Sequence, residues 1–83
     1  MDIMFYLYII KSVLVKRHYI GITHDIDARI KKHNTGSVRS TKAYRPWALV
    51  YEEVYKNKTD ARKEEIRLKR NAKARTELFE SFK

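Results

Sequence analysis

Runs of apolar residues alternate with polar segments along the chain, and the length and period of each run predict one element. Residues 3–10, IMFYLYII, are apolar or aromatic throughout, which is typical of a short strand buried on both faces. Residues 18–22 predict a second strand, paired with the first as an antiparallel hairpin. Residues 47–55, WALVYEEVY, predict a third strand in which alternation places Trp47, Leu49 and Tyr51 on one face.

Helical spacing predicts three helices around these strands. The first begins after Thr23 or Asp25, either of which can cap it, and ends at residues 34–36, Asn-Thr-Gly. A second helix over residues 60–70 has Thr59 as its predicted N-cap, and a third covers residues 74–82. The expected fold class is α/β (α+β), a three-stranded antiparallel sheet flanked by helices in the order ββαβαα. We expect a single domain over residues 1–83.

The charge balance points to a polyanionic partner. Lys and Arg number 19 against 10 Asp and Glu, which gives a formal net charge of +9. So large an excess on a small surface creates a positive field that attracts nucleic acid, with an anionic membrane or ribosomal RNA as alternatives. The chain has no cysteine, so disulfides and thiolate metal sites are excluded.

No targeting segment is predicted. The apolar run at residues 3–10 is too short to span a bilayer, and no basic segment precedes it. We therefore expect a cytoplasmic protein with no membrane partner.

Glu65 interrupts the inward-facing stripe of the second helix, which contains positions 61, 65, 68 and 72. A carboxylate in such a position is unfavourable unless it is paired or binds a cation. The pattern favours a tilt that leaves Glu65 at the rim, paired with Lys69 at i+4. The alternative is a ligand for a metal ion.

Arg29 and His33 lie one turn apart on the first helix. An arginine at the edge of an apolar stripe ordinarily makes a surface ion pair, but its planar guanidinium also suits a phosphate. Spacing alone leaves both possibilities open. His33 is predicted to be half-buried on the same side.

Three tyrosines, Tyr6, Tyr8 and Tyr19, are predicted to cluster on one face of the hairpin. Such residues are most often core residues with a satisfied hydroxyl. A phenol with its ordinary pKa of about 10 is a poor base. Nearby cations, Arg29 and a metal at Glu65, would lower that pKa and allow proton abstraction from water.

The loop between the first helix and the third strand is basic. Its cations are interleaved with Tyr44 and precede Trp47, a composition that suits nucleic acid because cations meet phosphates and aromatic rings stack on bases. The predicted contact residues are Arg39, Lys42 and Arg45. Alternatively, Trp47 is a core residue and the loop charges are simply solvated.

Taken together, these residues resemble the GIY-YIG nuclease domain, from about Phe5 to Leu78. The segment RPWALVYEE is similar to the family's third strand. The chain is most similar to the small stand-alone bacterial branch. The matching motifs, in order, are Tyr6-Leu7-Tyr8, Tyr19-Ile20-Gly21, Arg29, His33-Asn34, and Glu65 within ARKEEIRLK.

This resemblance implies metal-dependent cleavage of phosphodiesters. Tyr19 would help to deprotonate the attacking water, with Tyr8 beside it, and Arg29 would hold the scissile phosphate. Glu65 would hold one Mg²⁺ or Mn²⁺ ion, and His33 would orient water or phosphate. Supporting positions are Tyr6, Gly21 and Asn34.

Two departures from the family pattern matter. Tyr6 stands where the family has its leading glycine, and Ile22 stands where some repair members have a lysine. The catalytic domain is also alone, which implies weak or structure-selective binding, or dependence on a protein partner for targeting.

The leading functional prediction is an endonuclease-like domain that acts on DNA rather than RNA, in repair or recombination. One alternative is a non-catalytic nucleic-acid-binding protein on the same scaffold, and another is a small basic ribosome-associated protein. Retention of Tyr19, Arg29 and Glu65 together favours catalysis, because binding alone needs only a basic surface. For catalysis, we expect these side chains and Tyr8 to border one open cleft.

Overall fold

The structure is a computed structural model that describes residues 3–82. Residues 1, 2 and 83 of the predicted domain lie outside this range. The order ββαβαα is confirmed, and a single 3₁₀ turn at Lys42–Tyr44 precedes the third strand. In chain order the elements are β1 (Phe5–Ser12), β2 (His18–Thr23), α1 (Ile26–Asn34), β3 (Trp47–Tyr55), α2 (Lys58–Arg70) and α3 (Ala72–Ser81).

The three strands form one antiparallel sheet in the order β2-β1-β3, which puts β1 in the centre. Leu7, Ile9 and Ile10 in β1 have no exposed surface. The apolar run that predicted a strand buried on both faces is therefore confirmed, because helices cover both sides of β1. Between residues 3 and 82, no helix is both long and apolar enough to cross a membrane.

The predicted face of Tyr51 in β3 is wrong, whereas Val50 packs on the opposite side of the sheet from Trp47, as predicted. Ile10 pairs with Leu49 and Ile9 pairs with Tyr51, so Val50 is an extra residue in a β-bulge. The bulge reverses the alternation, and Tyr51 packs on the opposite side of the sheet from Trp47.

The core has one part on each side of the sheet. On one side, Leu7, Ile9 and Ile20 pack with Leu68 of α2, and side chains of α3 cover them. On the other, Tyr8, Ile10 and Trp47 pack with partly buried residues that include Ile30 of α1. Successive residues of β1 thus point to opposite sides of the sheet and belong alternately to the two parts of the core.

The ends of the helices are fixed by short polar side chains. Asp25 caps α1 by accepting a hydrogen bond from the Ala28 amide, which confirms one of the two predicted caps. Asn57, rather than Thr59, caps α2, so that helix begins earlier than predicted. Asn71 ends α2 and caps α3, and Gly36 beyond α1 has a φ of 84°, which favours glycine.

Candidate active site

Strand β2, the turn after it and helix α1 bring the predicted site residues together around Tyr8. Tyr8 in β1 pairs with Gly21 in β2, and the tyrosine ring lies across the glycine backbone. A Cβ at Gly21 would lie 2.6 Å from the Tyr8 hydroxyl oxygen and 2.7 Å from Cζ. Glycine is therefore needed at position 21 because any side chain would displace the Tyr8 ring.

A chain of hydrogen bonds runs from Tyr8 through His33 to the loop after α1. Tyr8 Oη lies 2.9 Å from His33 Nε2, and His33 Nδ1 lies 2.8 Å from Thr41 Oγ1. Thr41 donates its one hydroxyl hydrogen to the Val38 carbonyl at 3.3 Å, so it accepts from His33 Nδ1–H. His33 Nε2 then accepts the Tyr8 proton. The Tyr8 hydroxyl hydrogen is thus directed into the protein.

His33 is fully buried, so the prediction of a half-buried histidine is wrong. Its depth comes from the loop of residues 37–46, which folds over α1 and buries Thr41 against the imidazole. Burial, and then the nearby Arg29 charge, lower the pKa of His33 to about 4. The imidazole is therefore neutral at pH 7 and acts through its hydrogen bonds.

Tyr8 is also buried, with 1% of its surface exposed. Burial raises the pKa of Tyr8 to about 12, although the hydrogen bond from Arg29 acts in the opposite direction. Arg29 does lower the pKa of Tyr8, as expected, but burial outweighs it, so the expected net lowering of the pKa is wrong for Tyr8. Removing a phenol from water disfavours its charged form more than one guanidinium at this distance stabilises it.

The Arg29 side chain is held in place by a hydrogen bond to the buried Tyr8 hydroxyl. Its Nε donates to Tyr8 Oη at 3.4 Å, and the side chain is half-buried. The hydrogen bond to Tyr8 is the largest contribution to a raised pKa of Arg29, against a lowering by burial, and Tyr19 adds a smaller contribution. Arg29 is therefore a fixed positive charge with donors on all three guanidinium nitrogens.

Tyr19 lies between the two helices of the site. Its ring contacts His33 edge-on, with 4.8 Å between ring centroids, and lies 6.2 Å from the Tyr8 ring. On the α2 side, Lys69 Nζ lies 6.0 Å from the Tyr19 centroid. Unlike Tyr8, Tyr19 is only half-buried and lines an open pocket.

Glu65 lies on α2 with 6% of its surface exposed. Its Oε1 pairs with Arg62 Nη1 at 3.1 Å, and its Oε2 pairs with Lys69 Nζ at 3.2 Å. The predicted pairing with Lys69 is confirmed, but the predicted rim position is wrong, because the carboxylate is buried while its two cationic partners are half exposed. The negative charge of Glu65 also contributes to the raised pKa of Tyr8, so the two groups interact electrostatically.

A hard divalent cation at Glu65 would have to be held mainly by water and substrate, since this carboxylate is the one protein ligand expected there. Within residues 3–82 no group of three or more His, Cys, Asp or Glu side chains could hold a metal ion. An ion here would therefore have Glu65 as its protein carboxylate, as Mg²⁺ allows because it keeps several waters. Arg62 and Lys69 are each half exposed, so a cation that displaced them from Glu65 would return both to water. Together they supply the same charge as one divalent ion.

The predicted supporting residue Asn34 joins the end of α1 to the start of β3. Its Oδ1 accepts from the Trp47 amide at 2.6 Å, and its Nδ2 donates to the Trp47 carbonyl at 3.0 Å. Trp47 is buried, and its indole Nε1 donates to the Thr41 carbonyl at 2.9 Å. The core position of Trp47 is thus confirmed over the nucleic-acid-stacking alternative.

The basic loop after α1 presents its three predicted contact residues to solvent. Arg39, Lys42 and Arg45 are all exposed, and Arg45 lies against the backbone at Gly36. Tyr44 is covered by Arg17, whose guanidinium carbon lies 4.2 Å from the ring centroid. This loop is tied to the site through Thr41, so its charges are held close to α1.

Tyr6 is separate from the other two tyrosines. It pairs with Thr23 and Val54 and lines a cavity of about 360 Å³ beside the N-terminus of α1, together with Leu49 and Glu52. The predicted cluster of three tyrosines therefore contains Tyr8 and Tyr19 alone.

The expected single open cleft is also wrong in one respect, since Tyr8 lies beneath Arg29 and Tyr19 rather than at a surface. Sequence patterns missed Thr41, which ends the hydrogen-bond chain. A threonine in a polar loop carries no signal of burial, and only the folded loop places it against His33.

Comparisons with known proteins find a matching family model, similar sequences and a similar solved structure. A family model described as "GIY-YIG catalytic domain" matches residues 4–78. A "UPF0213 protein" of Staphylococcus aureus is 44% identical over 52 residues, and the match covers 61% of this chain and 63% of that relative's length. The UPF0213 protein of Bacillus halodurans, solved by solution NMR, is 31% identical with a TM-score of 0.58. That match covers 96% of this chain and 85% of the other.

Proposed function

The chain belongs to the GIY-YIG catalytic domain family, and on this basis we propose that it is a divalent-metal-dependent endonuclease that hydrolyses DNA phosphodiesters. The observation that carries the proposal is the position of Tyr8 Oη, 3.4 Å from Arg29 Nε and 2.9 Å from His33 Nε2. This buried hydroxyl fixes a positive guanidinium beside Tyr19. A fixed cation next to a phenol is suited to a phosphate and its attacking water.

Arg29 binds the scissile phosphate. Its Nε is held by Tyr8, so the guanidinium is oriented before substrate arrives, and its remaining donors can grip two phosphate oxygens. The formal net charge of +9 draws the polyanion to the surface. Preorganisation matters because a donor already in place stabilises developing negative charge without rearrangement.

Tyr19 is the residue that touches the attacking water. It is half-buried and faces a pocket, whereas the Tyr8 proton is directed to His33. Tyr8 and His33 are therefore positioning residues in this proposal, in place of the direct roles that the family resemblance implies for them. They hold Arg29 and the Tyr19 ring at fixed places.

Glu65 is the residue that would hold Mg²⁺ or Mn²⁺. When bound, such an ion supplies Lewis acidity that stabilises negative charge on the leaving oxygen. Glu65 is suited to this because it is buried and ionically paired only with side chains that are half exposed. Arg62 and Lys69 hold the carboxylate in place while the ion is away.

The wider role also belongs to the proposal. The exposed Arg39, Lys42 and Arg45 track the DNA backbone, and a protein partner supplies targeting. The domain acts in the cytoplasm, in repair or recombination. Because one small domain makes few contacts, we expect binding that depends on DNA structure more than on sequence.

Cleavage of branched, single-stranded and duplex DNA with Mg²⁺ or Mn²⁺ tests the proposal. Arg29→Ala and Glu65→Ala should each lower the rate by roughly a hundredfold or more. Matched controls are Lys32→Ala on the same helix and Glu64→Ala, whose carboxylate pairs with Arg67 instead. Both controls should retain most activity. Equal rates in the Arg29 variant and the wild-type protein would overturn the assignment.

A non-catalytic nucleic-acid-binding protein is the second candidate. It is favoured by the pairing of both Glu65 oxygens with Arg62 and Lys69, since a carboxylate that keeps these partners cannot take a metal. In that case DNA binding would be sensitive to salt but insensitive to chelator, and no variant would cleave. A ribosome-associated role depends on the basic charge alone.

A further inference from the structure

A basic pocket of about 540 Å³ lies between the β1–β2 hairpin and the corner between α2 and α3. Four cations line it, and none of its lining residues is acidic. The cations come from separate parts of the chain, so the fold rather than the sequence brings them together. They are Lys16, Arg17, Lys69 and Arg75.

Three of these cations are held by neighbouring groups, and one of the three is Arg17, which stacks over the Tyr44 ring. Arg75 Nη1 donates to the carbonyls of Leu68 and Lys69 at 3.2 and 3.1 Å, which fixes its guanidinium at the C-terminus of α2. Lys69 pairs with Glu65 and lies over the Tyr19 ring. Lys16 is exposed at the hairpin. The pocket is therefore positively charged on opposite walls.

The remaining wall of the pocket is aromatic. The rings of His18 and Phe79 are stacked, with 4.1 Å between centroids and 17° between planes. Burial, and then Lys11, lower the pKa of His18, so its ring is neutral at pH 7 and stacks as an aromatic. Cations beside flat apolar rings are the combination that binds single-stranded nucleic acid, through phosphates and bases respectively.

We propose that this pocket binds one nucleotide of a single strand, next to the phosphodiester held at Arg29. Tyr19 connects the two places, because it contacts His33 in the candidate site and also lines the pocket. The cations hold the flanking phosphate, and the wall of His18 and Phe79 meets the base. The assignment of a flanking position rests on the proposed nuclease function, but occupation of the pocket by a nucleotide does not.

Nuclear magnetic resonance on the whole ¹⁵N-labelled protein tests occupation. A short thymidine oligonucleotide is titrated in the presence of EDTA, so that no cleavage occurs, and inorganic phosphate is titrated separately. The oligonucleotide should shift the amide signals of residues 16–20 and of the α2–α3 corner, at much lower concentration than phosphate does. Equal affinity for phosphate, or signals that do not move, would overturn the proposal.

Single variants separate the contribution of the cations to oligonucleotide binding from that of the aromatic rings. Lys16→Gln should weaken oligonucleotide binding severalfold and make the slope of log affinity against log salt shallower by about 0.7. Phe79→Leu should weaken binding by roughly fivefold or more with the slope unchanged, because stacking is not ionic. The control is Lys63→Gln, an exposed α2 lysine that does not line the pocket. Circular dichroism confirms folding of each variant.

The outcomes distinguish the two proposals. If Lys63→Gln weakens binding as much as Lys16→Gln, attraction is a property of overall charge and the pocket is not a site. Cleavage by a protein whose pocket signals do not move would overturn the pocket and leave the nuclease. Pocket signals that move, in a protein that never cleaves, would support the pocket and overturn the nuclease.

Discussion

The hydroxyl of Tyr8 lies 2.9 Å from Nε2 of His33, and both side chains are almost wholly shielded from solvent. This buried pair connects the central strand to helix α1 and, through Thr41, to the basic loop. It also sets the position of Arg29, whose Nε donates to the same hydroxyl. One neutral hydrogen-bond chain thus supports the fold and the candidate site together.

Removing the Tyr8 hydroxyl should affect stability and activity together. Tyr8→Phe leaves His33 Nε2 without its buried donor, so the free energy of unfolding should fall by about 2 kcal/mol. Cleavage should also fall, by roughly tenfold to a hundredfold, because Arg29 loses its anchor. Urea denaturation and a cleavage assay measure the two effects. Tyr51→Phe is the control, since Tyr51 bonds to Glu53 at an exposed position, and it should change stability by less than about 0.5 kcal/mol.

Stability should depend on pH through His33. Its pKa is about 4 in the folded protein against 6.5 in the unfolded chain, so the unfolded state binds the proton first as pH falls. Stability is therefore fully present above pH 6.5 and is lost as the pH falls towards about 4, by on the order of 3 kcal/mol. His18, whose pKa is also lowered, contributes in the same direction.

Urea unfolding between pH 5 and pH 7 measures this slope while most carboxylates remain charged. His33→Gln should flatten the slope, and His24→Gln, at an exposed position in the turn before α1, should leave it unchanged. A slope that survives in the His33 variant would contradict the assignment of the buried imidazole as its main source.

Arg62 should compete with a divalent ion for Glu65. Arg62→Gln removes one of the two cations paired with that carboxylate, so Mn²⁺ should bind severalfold more tightly. The gain is limited to under about 1 kcal/mol because the arginine is half exposed. Isothermal titration calorimetry measures it. Arg67→Gln, which breaks the pair with Glu64, should have no effect, and Mn²⁺ binding that persists in Glu65→Gln would place the metal elsewhere.

Gly21 should tolerate no side chain. In Gly21→Ala the new methyl group would lie 2.6 Å from Tyr8 Oη, and the ring cannot yield without breaking its bonds to His33 and Arg29. We expect a loss of about 1–3 kcal/mol in unfolding free energy together with a loss of cleavage. Gly36→Ala should also destabilise the protein, because φ is 84° there, but should leave most activity. A fully active Gly21→Ala variant would show that the Tyr8 position is not needed.

Local patterns were enough to predict the order of elements. The apolar run of β1, the cap of α1 and the turn at Gly36 each depend on neighbours in the sequence. The strand and the turn are confirmed, and Asp25 is one of the two caps predicted. The predicted alternation in β3 failed at Tyr51, because a bulge arises from the pairing of β3 with β1. A strand read alone contains no information on its partner's register.

The sequence by itself determined which residues are candidates for chemistry: Tyr19, Arg29 and Glu65, on elements whose type and order follow from periodicity. Only the tertiary structure decided how far the side chains of the site are buried from solvent. The loop over α1 buries His33, and the packing of α2 against the sheet buries Glu65 beneath Arg62 and Lys69. Burial depth depends on which elements cover a residue, and that coverage is set by contacts between distant parts of the chain. For this reason periodicity gives the face of a helix but not the pKa or the partners of a group on it.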